Sequence, residues 1–248
     1  MSEVLELIQR RHSSRVSFDP NRSIARNALK KILAAAAWAP TAHNMQNFEV
    51  IVVDDRDQLR AIGEVKSGLS ETFIRENYAQ LSFSEEELRR KKTGVLAAMF
   101  PPSWRDPKMF AKLEEAAFAE GPSFMSSTIR DCPTLLFVTY DSSKRAPASA
   151  GDVLGFISLG CVMQNMWLTA EEMGIGLQIL SAFSSSQVES EIKKLLGIPP
   201  ALKIGFTARL GYPTAEGAEQ VKKYLRVRRD AGEFCHHGKY GVKAGEWP

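Results

Sequence analysis

Of all the stretches in the chain, Val153 to Leu168, VLGFISLGCVMQNMWL, most constrains the fold. It is the most apolar run, and at helical spacing its hydrophobic side chains surround the whole circumference. A helix with no wet face belongs at the centre of a core or at a subunit interface. Membrane insertion is disfavoured, because the run contains Gln164 and Asn165, is bounded by Asp152 and Glu171, and is shorter than the ~20 residues of a span. The other elements must pack around it.

Those elements alternate between strand and helix. FEVIVVDD (Phe48 to Asp55), TLLFVTY (Thr134 to Tyr140), Leu177 to Leu180 and KIGFTARL (Lys203 to Leu210) are apolar and β-branched, and read as strands. Val4 to Arg10, Ala25 to Trp38, Gln58 to Glu64 and Val188 to Leu196 read as helices. Pro40 stops the second of these, while Ser186 with Glu189 caps the last and Gly197 with the Pro199-Pro200 pair ends it. Ser84 followed by Glu87 is a capping-box signature, predicting a helix through Leu88 and towards Met99. PPSWRDP then breaks the pattern, and Lys108 to Glu120 resumes it. With no internal repeat and no linker, residues 1–248 read as a single domain of strands flanked by helices, with a variable insertion or lid at about 65–130 and a C-terminal arm at about 214–248.

Charge and cysteine usage exclude several classes of function. The 32 basic and 29 acidic residues leave a net charge of +3, so any anion site must be local rather than a coat for nucleic acid. Cys132, Cys161 and Cys235 are widely spaced and without a CxxC, which fits unpaired thiols in a reducing compartment. MSEVLELIQRR carries acidic residues inside its only apolar run and is not a signal peptide, so a cytoplasmic location is expected. The chain has no GxGxxG after a strand, no Walker lysine, no GxSxG and no HExxH. Its four histidines, His12, His43, His236 and His237, are badly spaced for convergent metal ligation, and no metal is expected.

Four stretches carry the remaining chemistry. RRHSSRVSF (Arg10 to Phe18) concentrates guanidinium and hydroxyl donors, suited to an anion; alone it could equally be a solvated helix end. WAPTAHNMQNFEV (Trp38 to Val50) offers the amides of Asn44 and Gln46, able to read a heterocycle carrying carbonyls and ring nitrogens, or merely to serve a turn. MGIGLQILSAF has Gly174 and Gly176 at a sharp entry into a short strand. ARLGYP precedes the basic tail KKYLRVRR, whose rival use is to track a phosphate backbone, although Tyr224 is its only aromatic.

Taken in order, these stretches together with LGCVMQNMWLTAEEMGIG resemble the nitroreductase family of flavin-dependent oxidoreductases over nearly the whole chain. The resemblance implies an α+β, nitroreductase-like fold with a central mixed, mostly antiparallel sheet flanked by helices. It also implies an intertwined homodimer holding one FMN at each of two interface sites. Arg11, His12, Ser13 and Arg15 would then take the phosphate and ribityl end. The proline loop, contributed by the partner subunit, would lie against the isoalloxazine through Pro40, Thr41, Ala42, Asn44 and Gln46. Asn47 stands after Gln46 where many members have proline. Ile179, Leu180 and Ser181 would cover the ring, and Arg226 and Arg228, or Arg229 after a shift of one, would complete the phosphate site. Phe73, Tyr78, Phe100, Trp104 and Phe110 are candidate lid aromatics.

The activity implied is hydride transfer from NAD(P)H through FMN to a nitroaromatic, a quinone or a related conjugated acceptor, by a ping-pong mechanism. The flavin carries the hydride, so no catalytic side chain is required. Reductive dehalogenation or flavin modification on the same fold, and a non-catalytic flavin- or nucleic-acid-binding protein, are the alternatives. The resemblance points to no membrane and no nucleic-acid partner.

Overall fold

All four strands read from the sequence form, and they build one sheet. In chain order the elements are α1 (Glu3–Arg10), α2 (Arg26–Ala37), a 3-10 turn (Ala42–Asn44), β1 (Phe48–Val53), α3 (Arg56–Gly63), β2 (Ser82–Phe83), α4 (Glu85–Lys91) and β3 (Val95–Leu96). They continue with β4 (Thr134–Asp141), α5 (Val153–Glu172), β5 (Gly176–Leu180), α6 (Ser186–Leu196), β6 (Leu202–Gly211), α7 (Ala215–Lys222) and α8 (Ala231–Phe234). This computed structural model describes residues 2–65, 76, 80–99, 108, 129, 132–147, 149–180 and 186–243. The chain divides into two compact units, Met1–Gly68 with Ala116–Lys222 and Leu69–Glu115 with Lys223–Pro248.

In the first unit the strands run in the order β1-β4-β6-β5, every neighbouring pair antiparallel. Alternation along the strands sorts their side chains onto two faces. Leu136, Val138, Ala208, Leu210 and Leu177 join Ile32 and Ala36 of α2 and Leu159, Val162, Met166 and Ala170 of α5 in one core. Leu135, Phe137, Thr207 and Arg209 stand on the opposite face and are also buried, which requires a second layer. α3 and α6, in contact with each other, bury Leu59, Ile62, Val188 and Ile192. β4, inside the sheet and covered on both faces, therefore reads as a continuous apolar run rather than an alternating one. Just before it, Cys132 donates its S–H to the Thr134 carbonyl at 2.8 Å, and burial pushes its thiol up to about 11. It remains the neutral thiol at physiological pH and is no nucleophile.

The apolar run is a 20-residue helix, but within the single chain it is not buried all round. One stripe forms the core, whereas Val153, Phe156 and Ile157 are 56%, 57% and 57% exposed. α6 ends as expected: Gly197 takes φ 64° and the Ile198 N–H bonds back to the Lys193 carbonyl at 2.9 Å. Its Glu189 acts elsewhere, accepting the Ile204 N–H at 3.0 Å and pairing with Lys193.

The second unit contains the predicted capping box, in which Ser84 Oγ accepts from the Glu87 N–H and Glu87 accepts from the Ser84 N–H, both at 3.2 Å. The helix it starts ends at Lys91 rather than running towards Met99. Lys92 adopts a left-handed φ of 51°, and the chain turns into β3. The Lys92 ammonium pairs with Asp230 and Glu233 of the C-terminal arm, raising its own pKa and lowering that of Asp230. The PPSWRDP break and Phe73, Tyr78, Phe100, Trp104 and Phe110 lie outside the described residues.

Candidate functional site

The basic segment leaves α1 and passes the outer edge of β5, with a tight turn at Ser14 where the Arg15 N–H donates to the Ser13 carbonyl at 2.9 Å. The Ser14 N–H donates to the Leu177 carbonyl at 3.0 Å, which fixes the pairing. Burial alternates along the segment: Ser14, Val16 and Phe18 are 0%, 4% and 0% exposed, while Ser13, Arg15 and Ser17 are not buried. Two-residue periodicity therefore turns Ser13 and Arg15 to the open side. Phe18 lies against Gly176 and Gly211, cross-strand partners on β5 and β6 that leave room for its ring by having no Cβ.

Two more anchors hold the segment. From the last turns of α5, the Trp167 indole N–H donates to the His12 carbonyl at 3.0 Å and its ring lies 4.6 Å from the Arg11 guanidinium carbon. One turn further, Glu171 pairs with Arg10 at 3.6 Å and with His12 Nδ1 at 3.4 Å, while His12 Nε2 is 3.3 Å from Ser14 Oγ. From the sheet, the buried Arg209 donates Nε–H to Gln178 at 2.8 Å and a terminal N–H to the Val16 carbonyl at 2.8 Å. A cationic, hydroxyl-bearing ledge results, backed by an aromatic ring and a buried cation.

β5 continues this ledge. Because the Leu177 carbonyl faces the segment, strand alternation turns the main-chain N–H and C=O of Ile179 to the same outer edge. Leu180 is buried opposite Thr207 of β6, and Ser181 lies outside the described residues.

The amide loop sits towards the other end of α5. Ala42 donates its N–H to Ser158 Oγ at 3.0 Å, and Ser158 in turn bonds the Leu154 carbonyl. His43, Asn44 and Gln46 take φ of 50°, 52° and 45°, left-handed positions without glycine on either side of a right-handed Met45, which store strain. Thr41 Oγ1 accepts the Gln46 N–H at 3.2 Å, and the Gln46 amide donates to Asn44 Oδ1 at 2.9 Å. Pro40, Asn44 and Gln46 are exposed, and Thr41 and Ala42 partly so. Ser158 and Trp167 are nine positions apart, so the two anchors are separated by about 13 Å along the helix. Arg226 and Arg228 are exposed and belong to the second unit.

Residues 8–212 match the family model described as Nitroreductase family. The chain belongs to the nitroreductase family. A protein of Archaeoglobus fulgidus, provisionally named NADH dehydrogenase/NAD(P)H nitroreductase, is 26% identical over 216 residues, 87% of this chain and 88% of that one. A local stretch of 80 residues is 35% identical to the CLA biosynthesis enone reductase of Lactiplantibacillus plantarum, covering 32% of this nitroreductase-family chain and 33% of that enzyme. The fold is shared with a solved chain from Desulfovibrio desulfuricans, provisionally named a nitroreductase and crystallised with FMN. Its TM-score is 0.59 at 16% identity, over 97% of this chain and 99% of that one. A Desulfitobacterium hafniense nitroreductase with bound FMN has a TM-score of 0.52 at 23% identity, over 87% and 91%.

Within this nitroreductase-family chain, then, Arg11, His12, Ser13, Arg15, Ile179 and Leu180 gather around one edge of β5. Pro40, Thr41, Ala42, Asn44 and Gln46 stand apart from them at the far end of α5. Sequence reasoning missed Trp167, Glu171 and Arg209, which touch the basic segment directly, and Gln178, which holds Arg209. The signals were present: an indole N–H inside an apolar helix needs a carbonyl, and a charge on a core strand needs oxygen partners.

Proposed function

We propose that the chain is an FMN-dependent oxidoreductase that passes hydride from NAD(P)H to a nitroaromatic, a quinone or a related conjugated acceptor. Carrying the proposal is the alternation of residues 13–18, which presents Ser13 and Arg15 outward beside Arg11 and His12. A phosphate monoester carries nearly two charges, and a ledge of guanidinium, hydroxyl and imidazole groups matches its acceptor oxygens. Arg226 and Arg228 are proposed as further phosphate-binding cations. The outward N–H and C=O of Ile179 suit the polar edge of a ring system, with Leu180 and Ser181 beside it. When bound, FMN supplies the hydride chemistry itself, reduced by NAD(P)H and reoxidised by the acceptor in ping-pong order. The local similarity to an enone reductase supports an acceptor conjugated to a carbonyl.

The active form is proposed to be a homodimer. Val153, Phe156 and Ile157 of α5, with Val4, Leu5 and Ile8 of α1, form apolar surface suited to a second copy. Packing two α5 helices antiparallel would carry the partner's amide loop to the ledge at the opposite helix end. That is why Pro40, Thr41, Ala42, Asn44 and Gln46 are assigned to the ring of the partner's flavin. The strained, internally hydrogen-bonded loop then arrives preformed, at little ordering cost.

The protein should be isolated yellow, and anaerobic NADH or NADPH should bleach its visible flavin bands, with colour returning when a quinone is added. A colourless protein that takes up no added FMN would refute the reading. If such a protein instead retarded DNA with a steep dependence on salt, the basic tail would be a nucleic-acid tracker.

A further inference from the structure

Arg209 is 7% exposed, and its contacts tie β6 to two other segments of chain. Nε–H donates to Gln178 Oε1 at 2.8 Å on β5, and one terminal nitrogen reaches the carbonyls of Val16 at 2.8 Å and Ser14 at 3.4 Å. Its guanidinium carbon lies 4.6 Å from the Phe18 ring. Ser14 and Val16 are also two of the residues whose side chains point inward. A donor that holds alternate carbonyls of a segment whose side chains alternate in burial fits one phase only. Sliding by a single residue would turn Arg15 in and Ser14 out, as any one-residue slip exchanges the faces of a strand.

We propose that Arg209 is a positioning residue for anion recognition: by gripping the Ser14 and Val16 carbonyls it fixes the phase of residues 13–17, keeping Ser13 and Arg15 outward. The identity of the anion rests on the flavin reading above; the phase lock does not. Ser14 completes the lock from inside, its N–H on Leu177 and its hydroxyl against His12.

Arg209→Lys tests this, since an ammonium keeps the charge but has no planar fork to hold Gln178 and two carbonyls together. Two quantities are measured on the full-length protein: amide hydrogen exchange at Ser14 without ligand, and affinities for FMN and riboflavin. Exchange at Ser14 should quicken by about tenfold, and FMN affinity should fall by about tenfold with riboflavin changed by less than about twofold, as expected for losing one charge-assisted contact. Unchanged exchange overturns the proposal whatever the binding result. Equal losses for FMN and riboflavin also overturn it, since they mark a general structural role. If the wild-type protein binds neither flavin, the cofactor reading fails separately and exchange at Ser14 decides the phase lock alone.

Discussion

Gly211→Ala should lower the melting temperature by about 5–10 °C and loosen the hold on FMN. A Cβ at this position would lie 2.6 Å from Phe18 Cγ and Cδ2 and 2.7 Å from Phe18 Cβ. Those atoms are the root of a fully buried side chain rather than a flexible tip, so the ring cannot swing aside. A Cβ on Gly176, directly across on β5, would likewise lie 2.7 Å from the same ring and 2.9 Å from Ser14 Oγ, which leaves no room on that side. Forcing a methyl into such a contact costs about 2–3 kcal/mol, and in a chain of this size each kcal/mol shifts melting by about 2–4 °C. Because Phe18 is continuous with the segment bearing Ser13 and Arg15, its displacement should also reach the ledge. Thermal unfolding of Gly211→Ala beside Gly232→Ala, where nothing lies within 4 Å of the added carbon, checks the point. Equal melting of the two variants would contradict the packing described.

Charge reversal on the ledge should have the larger functional effect. Arg15→Glu removes one charge-assisted contact and adds a repulsion of similar size, together about 4 kcal/mol, so FMN should bind roughly a thousandfold more weakly. The side chain points outward and is not part of the buried layer, so the melting temperature of the apoprotein should hardly move. Fluorescence titration with FMN at constant salt measures the loss. An unchanged affinity would mean that the phosphate lies elsewhere on the chain.

How much of this was legible in the sequence depended on the range of the interactions involved. The capping box at Ser84 and Glu87 and the left-handed stop at Gly197 are written in residues a few positions apart, and both formed as read. The end of α4 was missed because its left-handed residue is Lys92 rather than glycine. Likewise the positive φ angles of the amide loop fall on His43, Asn44 and Gln46; histidine and asparagine favour them only weakly beside glycine, and glutamine gives no such signal. The basic segment could be recognised as an anion site, but the groups that hold it could not. Trp167 and Arg209 meet it from 155 and 195 positions away, across a sheet whose strand order no local pattern specifies. The all-round apolarity of α5 was legible, yet within one chain only one of its faces is used. That discrepancy is what a covering second copy would resolve.

The proposed flavin binding depends on one contact above all, between the residue 11–15 ledge and a phosphate group. Titrating FMN and riboflavin in parallel into the wild-type apoprotein tests it most directly, because the two ligands share the ring and the ribityl chain and differ in that phosphate. FMN should bind at least about a hundredfold more tightly, the equivalent of two charge-assisted hydrogen bonds, and high salt should erode the difference. Equal affinities for the two flavins, insensitive to salt, would contradict the account.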